Sequence, residues 1–332
     1  MSMKKRAEAQ YFTDKTSDFL CESPPLPKNM MVELSNACNH ACVFCPNPDM
    51  QRKVGRIDKG LTFRIMAEAH VGGATDIGFY TTGEPFIHKS LAAFTAEAKR
   101  IGFDYIYIST NGALATIERA SEVIEAGMDS IKFSINAGSR ETYAKIHGRD
   151  EWDLVIKNLR DISNYRRDHA PDLKLYITCV VTQEMEHEVD GIQNTLGALV
   201  DEIAFDHCTP LAFPDVSWAA EGSVCNMPFN RLHVTYEGYL TLCCVDFQNY
   251  LAVADLNDMS VTEAWASPAF REIRKRHLAG DLSGTLCGNC WLGQSEHISP
   301  LNEDYADIID FDAFEQEQRQ RVMQQLRIPD RD

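Results

Sequence analysis

Between residues 28 and 210, short apolar runs alternate with amphipathic stretches at nearly even spacing. The runs are "MMVEL" (30–34), "DIGFYTTGEP" (76–85), "YIYISTNG" (105–112), "SIKFSINAG" (130–138), "LKLYITCVVT" (173–182) and "EIAFDHCTP" (202–210). Most are β-branched or aromatic in character and stop at Gly, Asn or Pro, which predicts strands. Between them, "TFRIMAEAHV" (62–71), "LAAFTAEAKRIG" (91–102), "IERASEVIEAG" (117–127), a long stretch to about 168 and a segment near 184–199 read as helices. Strands separated by helices predict a parallel sheet with right-handed crossovers. Six such units give an α/β fold, a partial (β/α)6 TIM-like barrel rather than a full eightfold one. In such sheets ligands gather at the C-terminal ends of the strands.

After residue 211 the rhythm breaks. "RLHVTYEGYLTLCCVD" (231–246) predicts a β-hairpin turning at Glu-Gly, and "VTEAWASPAFREIRKRHLAG" (261–280) is mainly an amphipathic helix. The chain divides into a polar N-terminal extension (1–27), the barrel (28–210), a small α+β unit (211–300) and an acidic tail (301–332). Strand parity sorts side chains between the two faces. Lys132, Ser134 and Asn136 share one face, with Ile131, Phe133 and Ile135 on the apolar outer one. By the same count Ala204, Asp206 and Cys208 face the lumen, and Cys179 points with Leu175 and Ile177 at the helices.

Composition narrows the class. Of 332 residues 44% are apolar, and 32 basic against 49 acidic residues give a net charge of −17. That field opposes broad binding of nucleic acid. The N-terminus carries no secretory pattern, and no run of 18 apolar residues exists to span a membrane. The expected location is cytoplasmic, where eleven cysteines point to metal ligation or redox chemistry rather than disulfides.

Three of those cysteines, Cys38, Cys42 and Cys45, stand as C-x3-C-x2-C in the loop after the first strand. Thiolates at such spacing bind zinc or an iron–sulfur cluster. With His40 inside the loop, a Cys3His zinc site is one reading. A 4Fe–4S cluster with one open iron is the other. The loop, with Phe44 before its last cysteine, resembles the signature of radical S-adenosylmethionine (SAM) enzymes. "TTGEP" (81–85) resembles that family's GGEP motif, with Thr82 in place of the first glycine, and "STNG" (109–112) and "SINAG" (134–138) end the third and fourth strands. The resemblance covers roughly residues 28–210. It implies that SAM caps the open iron and contacts Phe44, Thr82, Gly83, Glu84, Pro85, Ser109, Asn111, Ser134 and Asn136. It also implies reductive cleavage of SAM to a 5′-deoxyadenosyl radical, fed by a flavodoxin- or ferredoxin-type electron donor.

A second set, Cys225, Cys243, Cys287 and Cys290, has zinc or a fully ligated 4Fe–4S cluster open to it on chemistry alone. Its spacing resembles the shortened "twitch" form of the SPASM auxiliary-cluster domain, which implies a second 4Fe–4S cluster. Cys244 is an alternative to Cys243, but adjacent strand residues face opposite ways, so only one serves.

The resemblance implies three outcomes. One is oxidation of a small polar metabolite, carbohydrate or aminocyclitol-like, with the auxiliary cluster as electron acceptor. Another is epimerisation with Cys208 or Cys244 as hydrogen donor. The third is modification of a ribosomal peptide, which the roughly 30 residues before the cysteine loop disfavour, being too few for a peptide-recognition domain. His88, His147 and Arg149 follow strand ends and are candidates for substrate contact or for the surface. The basic run "REIRKRH" (271–277) reads as a solvated helix face.

Overall fold

The computed structural model describes residues 18–182, 184–207, 224–292 and 297–306. Six strands alternate with helices: β1 (Asn29–Val32), β2 (Asp76–Gly78), β3 (Tyr105–Thr110), β4 (Ser130–Ser134), β5 (Lys174–Val181) and β6 (Glu202–His207). Three more follow: β7 (Arg231–Val234), β8 (Tyr239–Thr241) and β9 (Ala252–Asp255). All nine form one sheet in the order β6-β5-β4-β3-β2-β1-β7-β8-β9. Pairing is parallel from β6 through β7 and antiparallel across β8 and β9. A six-unit partial barrel is therefore present, as the alternation predicts.

The 231–246 hairpin is also present, closing at Gly238 with φ +94°. Its first strand, however, pairs in parallel with β1, Met31 opposite His233 and Val32 opposite Val234. The C-terminal unit thus continues the barrel sheet instead of packing beside it. Parallel partners leave no local mark in sequence, because the pattern of one strand does not name its neighbour.

Parity sets the inside of the barrel. In β3, Ile106 and Ile108 are fully buried while Tyr105, Tyr107 and Ser109 are half-buried. Ile131 and Phe133 of β4 and Leu175, Ile177 and Cys179 of β5 are likewise sealed under the helices. The inner face is polar and reached by solvent, which is how an open barrel leaves room for ligands.

The stretch 261–280 is two helices, Val261–Trp265 and Pro268–Ala279. Ser267 caps the second, accepting from the Phe270 amide, and Pro268 suits a first turn where no N–H is needed. The solvated reading of 271–277 is corrected at two residues. Arg274 has no exposed surface and His277 only 4%. The Arg274 guanidinium lies 3.9 Å from the Trp265 ring and 3.7 Å from the Phe270 ring. It donates to the carbonyls of Pro228 (3.0 Å) and Trp265 (2.9 Å). Cation–π contact and two carbonyls offset part of the loss of water.

Candidate active site and auxiliary cysteine pocket

The loop after β1 carries Cys38, Cys42 and Cys45, each half-buried. Burial pushes the Cys38 thiol up to about 11 and the Cys42 thiol well above its usual range; Cys45 adds to the rise at both, and Cys38 to that at Cys42. Three converging thiols held out of water are poor anions alone and good ligands for a cation that balances them. Two side chains address the sulfurs. Asn111 Nδ2 lies 3.8 Å from Cys38 Sγ, and His147 Nδ1 lies 3.7 Å from Cys42 Sγ.

His147 is fully buried, which removes both the surface role and direct substrate contact. Its Nε2 accepts from the Asn136 amide at 3.2 Å, which puts its proton on Nδ1, toward Cys42 and the His40 ring (3.3 Å). His40 spends Nε2 on Glu151 at 2.8 Å. Burial and His40 hold His147 down at about 3, so it stays neutral. Ligand atoms of His40, Cys42 and His147 come within 4.8 Å of one another. That group contains one cysteine of the trio, so the Cys3His arrangement is not assembled. His88 is buried against Phe94 and Arg149 is exposed.

The "TTGEP" turn seats the loop from below. Glu84 N donates to Ala37 O at 2.8 Å, and a Cβ on Gly83 would fall on the carbonyl oxygens of Ser35 and Ala37. Only glycine allows so close an approach. The Thr82 hydroxyl donates to the Glu33 carboxylate. Glu33 is held by the fully buried Arg52 at 2.6 Å, which also grips Glu237 at 2.6 Å. Cysteine loop, motif and hairpin turn thereby share one buried cation.

Glu84 accepts from Thr110 (2.7 Å), the Asn111 amide (2.8 Å) and the Phe86 amide (3.0 Å), where Pro85 starts a 3-10 turn. Of the strand-end residues, Asn111 and Asn136 are tied into the protein: Asn136 Oδ1 takes the Val180 amide at 2.8 Å. Ser109 and Ser134, 3.3 Å apart, stay half-buried on the inner face. Phe44 packs half-buried against the core. Asn39 Nδ2 in the cysteine loop and Thr81 Oγ1 in the TTGEP turn are buried without partners. Orphaned polar atoms in these two segments fit a polar ligand such as SAM on a cluster.

The second set assembles as well. Cys225, Cys243, Cys287 and Cys290 line one cavity whose other walls are mainly apolar, Met227, Leu242 and Leu251 among them. Cys244 is not on it. The strand expected to sort this pair ends at Thr241, so parity does not divide them: Cys243 lines the cavity, while Cys244, whose thiol hydrogen-bonds that of Cys243, lies beside Arg231 and Lys132. Burial pushes Cys225 up to about 11, and burial with Cys225 and Cys290 nearby pushes Cys287 well up. Four thiols in a dry pocket suit a fully ligated cluster. His277 lines the same cavity, both ring nitrogens without partners, and burial holds it down at about 4. Cys208 lies outside the described residues.

Comparison with known proteins matches this layout. The model of the Radical SAM superfamily fits residues 32–196, and that of the SPASM iron–sulfur cluster-binding domain fits residues 225–291. The chain belongs to the radical SAM superfamily. As a radical SAM enzyme with a SPASM domain, it uses a 4Fe–4S cluster, SAM and auxiliary iron–sulfur binding. A relative from Niallia circulans is 25% identical over 290 residues, 84% of this chain and 96% of its own; it is an S-adenosyl-L-methionine-dependent 2-deoxy-scyllo-inosamine dehydrogenase. BtrN, crystallised with AdoMet and 2-DOIA, superposes at TM-score 0.53 with 21% identity, covering 85% of this chain and 98% of that one. Streptococcus suis SuiB bound to precursor peptide SuiA superposes at 0.58 with 13% identity, covering 81% and 71%. These likenesses to solved structures concern the fold.

Strand parity puts Lys132 on the inner face, where the structure also has it; Arg231, Arg52 and Glu33 are site residues that no motif marks. The signal for Arg231 is in "RLHV", whose polar residues alternate with Leu232 and Val234 as Lys132 and Ser134 do with Phe133.

Proposed function

We propose that this radical SAM enzyme dehydrogenates a small polar substrate held in the barrel lumen, with the auxiliary cluster taking the second electron. The observation that carries this reading is the wall shared by lumen and pocket: Cys243 lines the four-cysteine cavity while its neighbour Cys244 faces the lumen. Cys38, Cys42 and Cys45 would hold the cluster on which SAM binds, and that group, when bound, would supply the radical chemistry that takes hydrogen from substrate carbon. The protein supplies the rest. Cys38, Cys42 and Cys45 leave one ligand position free, and Cys225, Cys243, Cys287 and Cys290 leave none. A closed set does not bind substrate, so its service is electron transfer. The substrate would give one hydrogen atom to the radical and one proton to solvent in the lumen, and one electron would cross the wall to the auxiliary site. The Niallia relative, matched over nearly its whole length, is a dehydrogenase of this kind. The electron donor is proposed to be a flavodoxin or ferredoxin and the compartment the cytoplasm; no helix among the described residues is long and apolar enough to cross a membrane.

Epimerisation is the second reading, favoured by Cys244, a thiol on the lumen side. Anaerobic turnover in heavy water separates the two. Dehydrogenation gives a product two mass units lighter without deuterium on carbon. A product one unit heavier, lost in Cys244→Ala, overturns dehydrogenation.

A further inference from the structure

The inner face of the barrel carries two cationic side chains, Lys132 and Arg231. Lys132 is central in β4, between Ile131 and Phe133, which are sealed on the outer face. Arg231 opens β7, where Leu232 and Val234 belong to the buried core, so Arg231 and His233 share the inner face. Lys132 Nζ stands 5.1 Å from the centre of the Tyr80 ring, and Tyr80 meets Tyr107 edge-on at 5.9 Å. Lys132, Tyr80, Tyr107 and Arg231 are all half-buried.

Neither cation has an ion-pair partner among the described residues. Acidic groups act on both from nearby: Tyr107, Cys244 and the exposed Asp206 of β6 on Lys132, and Tyr107, Tyr80 and Cys244 on Arg231. Among the described residues the Arg231 guanidinium meets the Met31 sulfur, at 3.8 Å, and its Nε is buried with no partner. His233, buried beside it, has both ring nitrogens unmatched. Two desolvated like charges repel each other and have surrendered hydration, so the site is poised for a compensating anion.

SAM does not explain them by position. Ser134, at the strand end where the family places SAM, is two residues beyond Lys132, and Arg231 pairs with Asn29 at the opposite end of β1. Two residues of strand are about 7 Å. The cations lie below the SAM level, on the lumen side of the Cys243–Cys244 wall.

We propose that the substrate is an anion, whose carboxylate or phosphate group Lys132 and Arg231 hold between Tyr80 and Tyr107. This rests on the reading that the lumen holds the molecule to be oxidised. It points to a hydroxy acid or a sugar phosphate, a different class from the amine-bearing cyclitol named for the Niallia relative.

The test is anaerobic titration calorimetry on the full chain with both clusters and SAM bound, using inorganic phosphate, glycolate and uncharged myo-inositol. Phosphate or glycolate should bind at least tenfold more tightly than myo-inositol, the better of the two naming the group. Lys132→Gln and Arg231→Gln should each weaken that anion about tenfold or more and leave SAM affinity within twofold. Three results overturn the proposal: no preference for the anions over myo-inositol, loss of SAM affinity in Lys132→Gln, or variants that shift only the auxiliary-cluster potential while anion affinity stays. Iron content and formation of 5′-deoxyadenosine, measured on the same samples, test the underlying reading separately. Their loss with phosphate binding intact refutes the enzyme assignment but not the anion site.

Discussion

The two cysteine sets solve different problems with the same side chain. The trio lies within eight consecutive positions of one loop, and polar groups reach two of its sulfurs: Asn111 to Cys38 and His147 to Cys42. The quartet is gathered from separated segments, and its cavity is walled mainly by apolar side chains. A loop with hydrogen-bond donors around it can present an open coordination position and orient what binds there. A dry pocket closed by four dispersed thiols ties segments together and keeps small molecules out. On the proposed function, one set serves the chemistry and the other carries charge and holds the C-terminal unit together.

That contrast breaks most sharply at Cys42. Cys42→Ala should abolish 5′-deoxyadenosine formation and halve the bound iron, by colorimetric iron assay and product chromatography, because the trio has no spare thiol. Persistent SAM cleavage would falsify the division of labour. Cys287→Ala should also halve the iron but leave SAM cleavage running without oxidised product, and lower the unfolding temperature more than Cys42→Ala does. The reason is that the quartet joins residues 225 to 290 across the C-terminal unit. Equal temperatures would show that the quartet is not structural.

Smaller effects sharpen the picture. His147→Phe removes the donor to Cys42 and the acceptor of the Asn136 amide. It should cut SAM cleavage by about 10–100-fold, the usual range for lost support of metal ligands. The electron paramagnetic resonance signal of the reduced SAM-binding cluster should shift while that of the auxiliary cluster stays fixed. Cys244→Ala should change least: both clusters assemble and oxidised product forms within about twofold of the parent rate, set beside the 1.4 kcal/mol that a tenfold change represents. Collapse of turnover there moves Cys244 from the wall into the reaction.

Much of this was legible along the chain because it is encoded locally. The period-2 pattern of "YIYIST" and "SIKFS" sets which side chains turn inward, and the trio's spacing lies within one loop. The Cys243/Cys244 division does not follow from that parity, because β8 ends at Thr241 and the pair lies in the turn beyond it. What escaped depends on distance in the chain. Arg52 meets Glu33 and Glu237, 19 and 185 positions away, and no short window contains that triad. Arg274 reads as solvated because a charge on an amphipathic helix usually is; its burial depends on Trp265 and Phe270 stacking onto it, which only tertiary packing reveals. The parallel union of β1 with β7 has the same origin.

The turn of the backbone between Cys243 and Cys244 has a consequence for how this enzyme can change. On the proposed function, the partition between the acceptor-bearing pocket and the substrate chamber is formed there by adjacent residues, so the electron's route out is short and nearly independent of what fills the chamber. Residues such as Lys132, Tyr80 and Arg231 can be exchanged, and with them the molecule accepted, without moving the electron sink.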